Sequence, residues 1–251
     1  VTDTARRPTV VLPRGGEWAE RIGREARARG LEPVTIPLIT TAPPADPAPL
    51  TAALAALARG EFAWIAVTSA TAARVIGGLV PSLPAGVRVA AVGRETAAAC
   101  LAAGWPVDFV PTDESARGLA AEFPETDGTV LFPCSEIATV HLMTGLRDRG
   151  IALWDVAAYR TVGTGTAPIV LDPPPDAILV TSGSVASAIA LRMRPLDPRT
   201  RVACIGPGTA SAAGALGLPV HVTSPSRSVP ALLDAVVADL QTSPNHPTPE
   251  R

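Results

Sequence analysis

The chain repeats itself. Ser69 and Ser182 stand 113 residues apart, and so do Gly93 and Gly206, Thr96 and Thr209, Gly104 and Gly217, and Ser115 and Ser228. At that spacing VTSATAA (67–73) lies over VTSGSVA (180–186), and VAAVGRETAAACLAAG (89–104) over VACIGPGTASAAGALG (202–217). A second register of 120 residues relates Thr9 to Thr129, Pro13 to Pro133, Gly30 to Gly150 and Thr41 to Thr161. Five coincidences at one spacing are more than an alanine-rich composition produces. Internal duplication of this kind implies two similar domains. The 251 residues suffice for two, each able to bury a core.

Short apolar runs alternate with alanine-rich helical ones. Strands are expected at 9–13, 62–67, 87–92, 107–110, 129–132, 177–180, 201–205 and 220–222. Helices are expected at 17–29, 50–59, 70–79, 95–103, 115–123, 136–149, 185–193, 208–216 and 229–240, several of them ended by Gly. Two longer extended runs, 32–41 and 152–162, stand out, and the proline-bearing tail 241–251 reads as disordered. The strands lack polar alternation and each is followed by a helix, the pattern of a parallel sheet covered on both faces. Right-handed crossovers then give an open, doubly wound α/β architecture. A tandem arrangement would cut the chain near residue 125. A swapped one would let the two extended runs cross between domains as a two-stranded bridge. The residues alone leave both open.

Composition narrows the function. The net charge is −2, and all 21 cationic side chains are Arg, which argues against a general nucleic-acid binder. Cys100, Cys134 and Cys204 form no CxxC pair, and His141, His221 and His246 show no metal-ligand spacing. A reducing cytoplasm is the expected compartment. No apolar run is long enough for a membrane span and no signal peptide is recognisable, although the start at Val1 leaves processing open. Neither GxGxxG nor a P-loop occurs, so a nucleotide site is a poor reading.

In sheets of this type, ligands bind beyond the carboxyl ends of the strands. Those ends carry 13–16 (PRGG), 68–71 (TSAT), 93–96 (GRET) and 112–115 (TDES), then 133–136 (PCSE), 181–184 (TSGS), 206–209 (GPGT) and 224–226 (SPS). Each leads into a helix start, where unpaired N–H groups attract anions. Any one of these Ser or Thr residues also serves as a plain helix cap. Taken together, with the domains face to face, the loops would enclose a cleft rich in neutral donors, suited to a polyanion despite the net negative charge.

At these residues the sequence resembles the uroporphyrinogen-III synthase family. The resemblance rests on Arg14, VTSATA (67–72), AVGRETA (91–97) with Gly104, LFPCSE (131–136), AAYRTV (157–162), LVTSGSV (179–185) and CIGPGTA (204–210), in that order over about residues 9–240. It implies two flavodoxin-like domains joined by a two-stranded ladder: 1–37 with 165–251, and 41–160, with crossings at 37–41 and 160–165. It implies a cofactor-free lyase. Linear hydroxymethylbilane would lose its terminal hydroxyl and close, with inversion of ring D through a spiro intermediate, to uroporphyrinogen III. The substrate could be handed over by hydroxymethylbilane synthase, and a cytoplasmic monomer, with no nucleic-acid or membrane partner, is the simplest expectation.

Tyr159 is the one Tyr of the chain and matches the family's Tyr after the second extended run. A phenol, with an ordinary pKa of about 10, still holds its proton at neutral pH and can donate it to a leaving hydroxyl. A plain ladder residue is the other reading. The resemblance places Arg14, Ser69, Ala70, Arg94, Thr96, Cys134, Ser135, Ser182, Gly183, Ser184 and Thr209 in substrate binding, with Arg160 and Arg227 weaker candidates. Two departures matter. Cys134 stands where the family commonly has a donor-rich residue, and the first loop lacks the frequent Arg-Pro pair. A related protein of altered substrate and a non-catalytic two-lobed binding module are the alternatives. Trp18, Trp64, Trp105 and Trp154 read as packing residues, and Cys100 and Cys204 as core.

Overall fold

The computed structural model describes residues 6–137 and 141–242. They form two compact units, one made of the described residues up to Thr40 and from Val162 onward, the other of Thr41–Thr161. The first opens with β1 (Thr9–Leu12), α1 (Gly16–Ala28) and β2 (Glu32–Thr35). The chain then runs through β3 (Ile39–Ala42), α2 (Ala48–Ala58), β4 (Trp64–Val67), α3 (Ala70–Leu79), β5 (Arg88–Ala91) and α4 (Arg94–Ala102). Next come α5 (Ala116–Glu122), β6 (Val130–Ser135), α6 (His141–Asp148) and β7 (Leu153–Gly163). It returns for β8 (Ala177–Val180), α7 (Gly183–Arg192), β9 (Arg201–Cys204), α8 (Pro207–Ala215), β10 (Val222–Thr223) and α9 (Val229–Thr242).

The first sheet has the order β10-β9-β8-β1-β2, with parallel pairs throughout. In the unit's own chain order this is 2-1-3-4-5, the flavodoxin-like arrangement. The second sheet is ordered β3-β7-β6-β4-β5. Here β6 and β7 occupy the places of β1 and β2, while β4 and β5 occupy those of β8 and β9. The second unit is therefore a circular permutation of the first, which explains the two repeat spacings. The 120-residue register relates β1–β2 to β6–β7, and the 113-residue register relates β4–β5 to β8–β9 and Phe109 to Val222 of β10. The chain changes unit within β3 and within β7, which are neighbours in the second sheet.

Alternate residues of each strand feed opposite faces, and both faces are buried. Val10, Leu12, Ala177 and Leu179 pack with Ile22 of α1 and with Leu232, Leu233 and Val236 of α9. Val11, Ile178 and Val180 pack with Val185 and Ile189 of α7 and Ala213 of α8. In the second unit Ile65 and Val67 meet Leu57, Ile76 and Cys100 on one face, while Trp64 and Ala66 meet Leu119, Leu142 and Leu146 on the other. Two-sided burial is why the strands read as unbroken apolar runs. Each Leu or Ile taken out of water contributes about 1.5–3 kcal/mol.

Three sequence expectations change. The strand expected at 107–110 is a single parallel bridge, Ala90 to Phe109. Pro106 and Pro111 bound it and have no N–H for a ladder, and the Asp108 carboxylate accepts the Val89 N–H at 2.8 Å. The run 32–41 is two strands, β2 and β3, interrupted at Pro37. Helix α9 continues to Thr242 and takes in the first two residues of the expected disordered tail; residues 243–251, and 138–140 within the expected helix 136–149, lie outside the described residues. Cys100 and Cys204 lie in the core, as do Trp64 and Trp105. Trp18 is half-buried beneath the Arg14 guanidinium, and Trp154 is 40% exposed with an edge contact to Phe62. Among the described residues no helix is long and apolar enough to cross a membrane.

At the amino ends of the first sheet's strands, buried Asp176 accepts from the Thr9 N–H at 2.6 Å and from Arg6 at 2.8 Å, tying β1 to β8. Beside them, His221 Nδ1 accepts the Val202 N–H at 3.0 Å, a bond that requires neutral imidazole. Burial, and then Arg201, lower the proton affinity of His221, against an opposing pull from Asp239. The unfolded chain therefore binds the proton more readily, and this contribution to stability is lost as pH falls below the ordinary value of 6.5. His221→Asn keeps an acceptor but does not titrate. Melting temperatures should show the native chain losing stability relative to this variant between neutral pH and pH about 5. Parallel curves would refute the linkage.

Candidate active site

Tyr159 owes its position to a β-bulge. Paired to β6, Cys134 lies opposite Ala157 but Ser135 lies opposite Tyr159, so β7 carries one extra residue. A regular strand would send residues 158 and 159 to opposite faces. The bulge instead puts Val156, Ala158 and Tyr159 in the same apolar cluster. Tyr159 is 8% exposed. It lies across β6, which separates β7 from β4, and its Oη is 3.1 Å from Ser69 Oγ at the carboxyl end of β4. Ser69 also caps α3, accepting the Ala72 N–H at 3.0 Å, and Ala70 is the first helical residue.

Next along this edge, Gly93 caps α4 with extended backbone and no side-chain bond. The Glu114 carboxylate takes that place, accepting from the Arg94 N–H at 3.0 Å and from Arg94 Nε at 2.7 Å. A Cβ at Gly93 would stand 2.5 Å from Glu114 Oε2, so a larger residue here would displace this carboxylate. The Arg94 N–H and then its guanidinium hold the Glu114 carboxyl below the usual carboxylate range. Arg94 thus faces a carboxylate of its own chain, and Thr96 is buried. Ser135 is half-buried and accepts the Ile137 N–H at 3.2 Å. Arg160 donates to the Pro43 carbonyl.

Cys134 requires a correction. Its thiol is buried and donates to the Val156 carbonyl at 3.5 Å, so the weak donor expected to reach substrate is engaged within the sheet. Burial, with Asp155 adding to it, pushes the thiol up to about 11.

In the first unit Ser182 caps α7, accepting the Val185 N–H at 3.3 Å, and Gly183 and Ser184 follow in its first turn. Gly206 opens α8, with Pro207, Gly208 and half-buried Thr209 after it. Gly183, Gly206, Pro207, Gly208, Thr209, Ala212 and Arg227 line a pocket of about 290 Å³. Gly183 and Thr209 thus line one pocket. Arg14, half-buried, lies with its guanidinium carbon 5.7 Å from the Trp18 ring centroid.

Sequence reasoning passed over Glu114, although the signal was present: the residue 113 positions on is Arg227. One unit closes its helix start with an anion, and the other lines the corresponding pocket with a cation. Among the described residues no group of His, Cys, Asp and Glu could hold a metal ion.

The family model for uroporphyrinogen-III synthase HemD matches residues 20–234. The chain is 32% identical over 230 residues to the chloroplastic uroporphyrinogen-III synthase of Oryza sativa subsp. japonica, covering 84% of this chain and 74% of that one. This chain belongs to the uroporphyrinogen-III synthase family. It is also 26% identical over 163 residues to the uroporphyrinogen-III synthase of Synechococcus elongatus, 61% of this chain and 60% of that one. Among solved structures, the uroporphyrinogen-III synthetase of Helicobacter pylori has a TM-score of 0.62 at 17% identity, covering 93% of this chain and 99% of that one. A mutant uroporphyrinogen III synthase of Thermus thermophilus scores 0.59 at 18%, covering 94% and 100%. At those identities the structures speak for the fold. The family's two-domain α/β frame is the one described above.

Burial pushes the thiols of Cys100 and Cys204, like that of Cys134, up to about 11. At pH 8 the thiolate fraction of each is then about one in a thousand. The folded family member should show no fast-reacting thiol toward a chromogenic disulfide at that pH, and three after denaturation. Rapid labelling of Cys134 in the folded chain would contradict its placement.

Proposed function

We propose that this chain catalyses the family's reaction, closing hydroxymethylbilane to uroporphyrinogen III with inversion of ring D, and that Tyr159 is its acid. The observation that carries the assignment is the Tyr159 phenol at the carboxyl edge of the second sheet, 3.1 Å from Ser69. The C–O bond of the terminal hydroxymethyl group breaks with its electron pair going to oxygen. The Tyr159 proton converts that oxygen to water, and the pyrrole nitrogen lone pair stabilises the methylene cation left behind. That methylene carbon bonds to the ring D carbon already carrying the bridge from ring C, giving the spiro intermediate. The older carbon–carbon bond then breaks. Its methylene, stabilised as a cation by the ring C nitrogen, bonds to the other α carbon of ring D, and loss of the proton there, returned to the phenolate, completes the balance. The net change is loss of one water.

The substrate's carboxylates meet the strand-end residues of each sheet: Ala70, Arg94, Thr96 and Ser135 in the second, Arg14, Ser182, Gly183, Ser184 and Thr209 in the first. Arg227 joins the first set through the pocket it lines. Cys134 is omitted. Hydrogen bonds to charged groups contribute about 1.5–3 kcal/mol each, so a few suffice without a basic surface. Unaided closure leaves ring D uninverted, so holding one folded conformation of the substrate is part of the catalysis. The same reading has the substrate supplied by hydroxymethylbilane synthase and the enzyme working as a cytoplasmic monomer.

The test generates hydroxymethylbilane enzymatically in the presence of this protein and separates the type I and type III isomers. Type III should predominate; type I alone would overturn the reading. Tyr159→Phe should lower turnover about 10- to 100-fold without abolishing it, because the electron-rich pyrroles also drive hydroxyl loss. An unchanged rate would remove Tyr159 from the chemistry. Arg227→Ala should raise KM several-fold with little change in kcat, as loss of a contact made equally in ground and transition states does.

A further inference from the structure

We propose that Ser69 is a positioning residue for Tyr159: its hydroxyl donates to Tyr159 Oη and so turns the phenol proton away from the protein. The inference rests on the role just given to Tyr159 and goes beyond it by fixing the direction of the hydrogen bond. Ser69 Oγ accepts the Ala72 N–H at 3.0 Å, a bond in which only the amide can donate. A hydroxyl has one proton and two lone pairs, so Ser69 keeps its proton for another partner, and Tyr159 Oη stands 3.1 Å away. One proton fills a contact between two hydroxyls. When Tyr159 gives its own proton to a substrate oxygen, the proton in this contact is that of Ser69.

The resulting order is Ala72 N–H to Ser69 Oγ, then Ser69 O–H to Tyr159 Oη. Each bond polarises the next, and the relay starts at the positive end of α3. It stabilises the phenolate left after proton transfer by a charge-assisted bond. The repeat shows that capping alone does not require this. Ser182 caps α7 in the same way, yet the residue 120 positions before Tyr159 is Ile39, so the first unit has no phenol to orient.

Because Tyr159 is the one Tyr in the chain, the tyrosine Fermi doublet in its Raman spectrum reports this hydroxyl alone. For a phenol that donates its proton to water, the ratio of the upper to the lower band falls when its oxygen loses a donor, whereas for one that donates to Ser69 the ratio rises when that bond is lost. The ratio should fall in Ser69→Ala relative to the native chain. A rise or no change would overturn the proposal, whatever the enzyme's activity. In the isomer assay, Ser69→Ala and Ser69→Gly should each lower kcat about tenfold, and Ser69→Thr should restore most of it. Gly retains most of the capping preference, so its melting temperature separates lost capping from lost orientation. In a Tyr159→Phe background, Ser69→Ala should change kcat by less than about twofold. An equal loss in both backgrounds would show Ser69 acting by another route. Absence of type III product from the native chain would overturn the assigned reaction instead, while the Raman result still decides the hydrogen bond.

Discussion

No tight turn can join two neighbouring strands that run in the same direction. The chain must climb back outside the sheet, and a helix is the compact way to do it. Both sheets here obey that constraint, and most of the molecule follows from it. The return helices cover both faces, so strands such as Val10-Val11-Leu12 and Trp64-Ile65-Ala66-Val67 are buried without alternation. The carboxyl ends of the parallel strands gather along one edge of each sheet, and those of β1, β4, β5, β8, β9 and β10 lead into a helix, whose first N–H groups have no partner within the helix. The polar chemistry of each unit is thereby collected on one rim before any side chain is chosen.

What differs along that rim is how each helix start is satisfied. Ser69, Ser115 and Ser182 supply a hydroxyl oxygen to their own helices. Gly93 and Gly206 supply nothing, and the neighbouring residue decides the outcome. At Gly93 a carboxylate from Glu114 fills the position and engages Arg94 as well. At Gly206 the Arg227 side chain passes instead, and a Cβ on that glycine would stand 3.3 Å from its Cγ. A chain of net charge −2 can therefore offer an anion-seeking rim in one place and a neutralised one in another. The distinction is local, set by single residues, and invisible in the overall charge.

The frame was legible in the sequence because it depends on properties that sequence carries directly. Burial on two faces writes apolar runs, crossover helices write alanine-rich runs ended by Gly, and duplication writes fixed spacings. The same features marked the strand-end loops, Ser69 among them, while Tyr159 was marked by the resemblance to the family. Side-chain engagement was not legible. Nothing local to Cys134 says that its thiol meets the Val156 carbonyl, because that contact depends on the pairing of β6 with β7. The bulge opposite Ser135 is equally silent, although it decides which way Tyr159 faces. The stretch 107–110 has strand-like residues, but two flanking prolines and the Asp108 carboxylate leave it a single bridge.

A duplicated fold also supplies its own control. Features found at both copies of a position, such as the Ser69 and Ser182 caps, are what the frame requires. Features found at one copy are additions to it. By that criterion the additions in the second unit are Tyr159 where the first has Ile39, and Glu114 with Arg94 where the first has Arg227 with Pro207. Each addition reaches a helix start, the phenol that of α3 and the carboxylate that of α4. The phenol reaches Ser69, which the frame already holds in place as a cap, so a structural hydroxyl becomes part of a chemical arrangement without losing its first role. The division of labour then has a physical basis. Backbone amides common to both units favour anions of any shape, while the unmatched side chains determine how each helix start is satisfied.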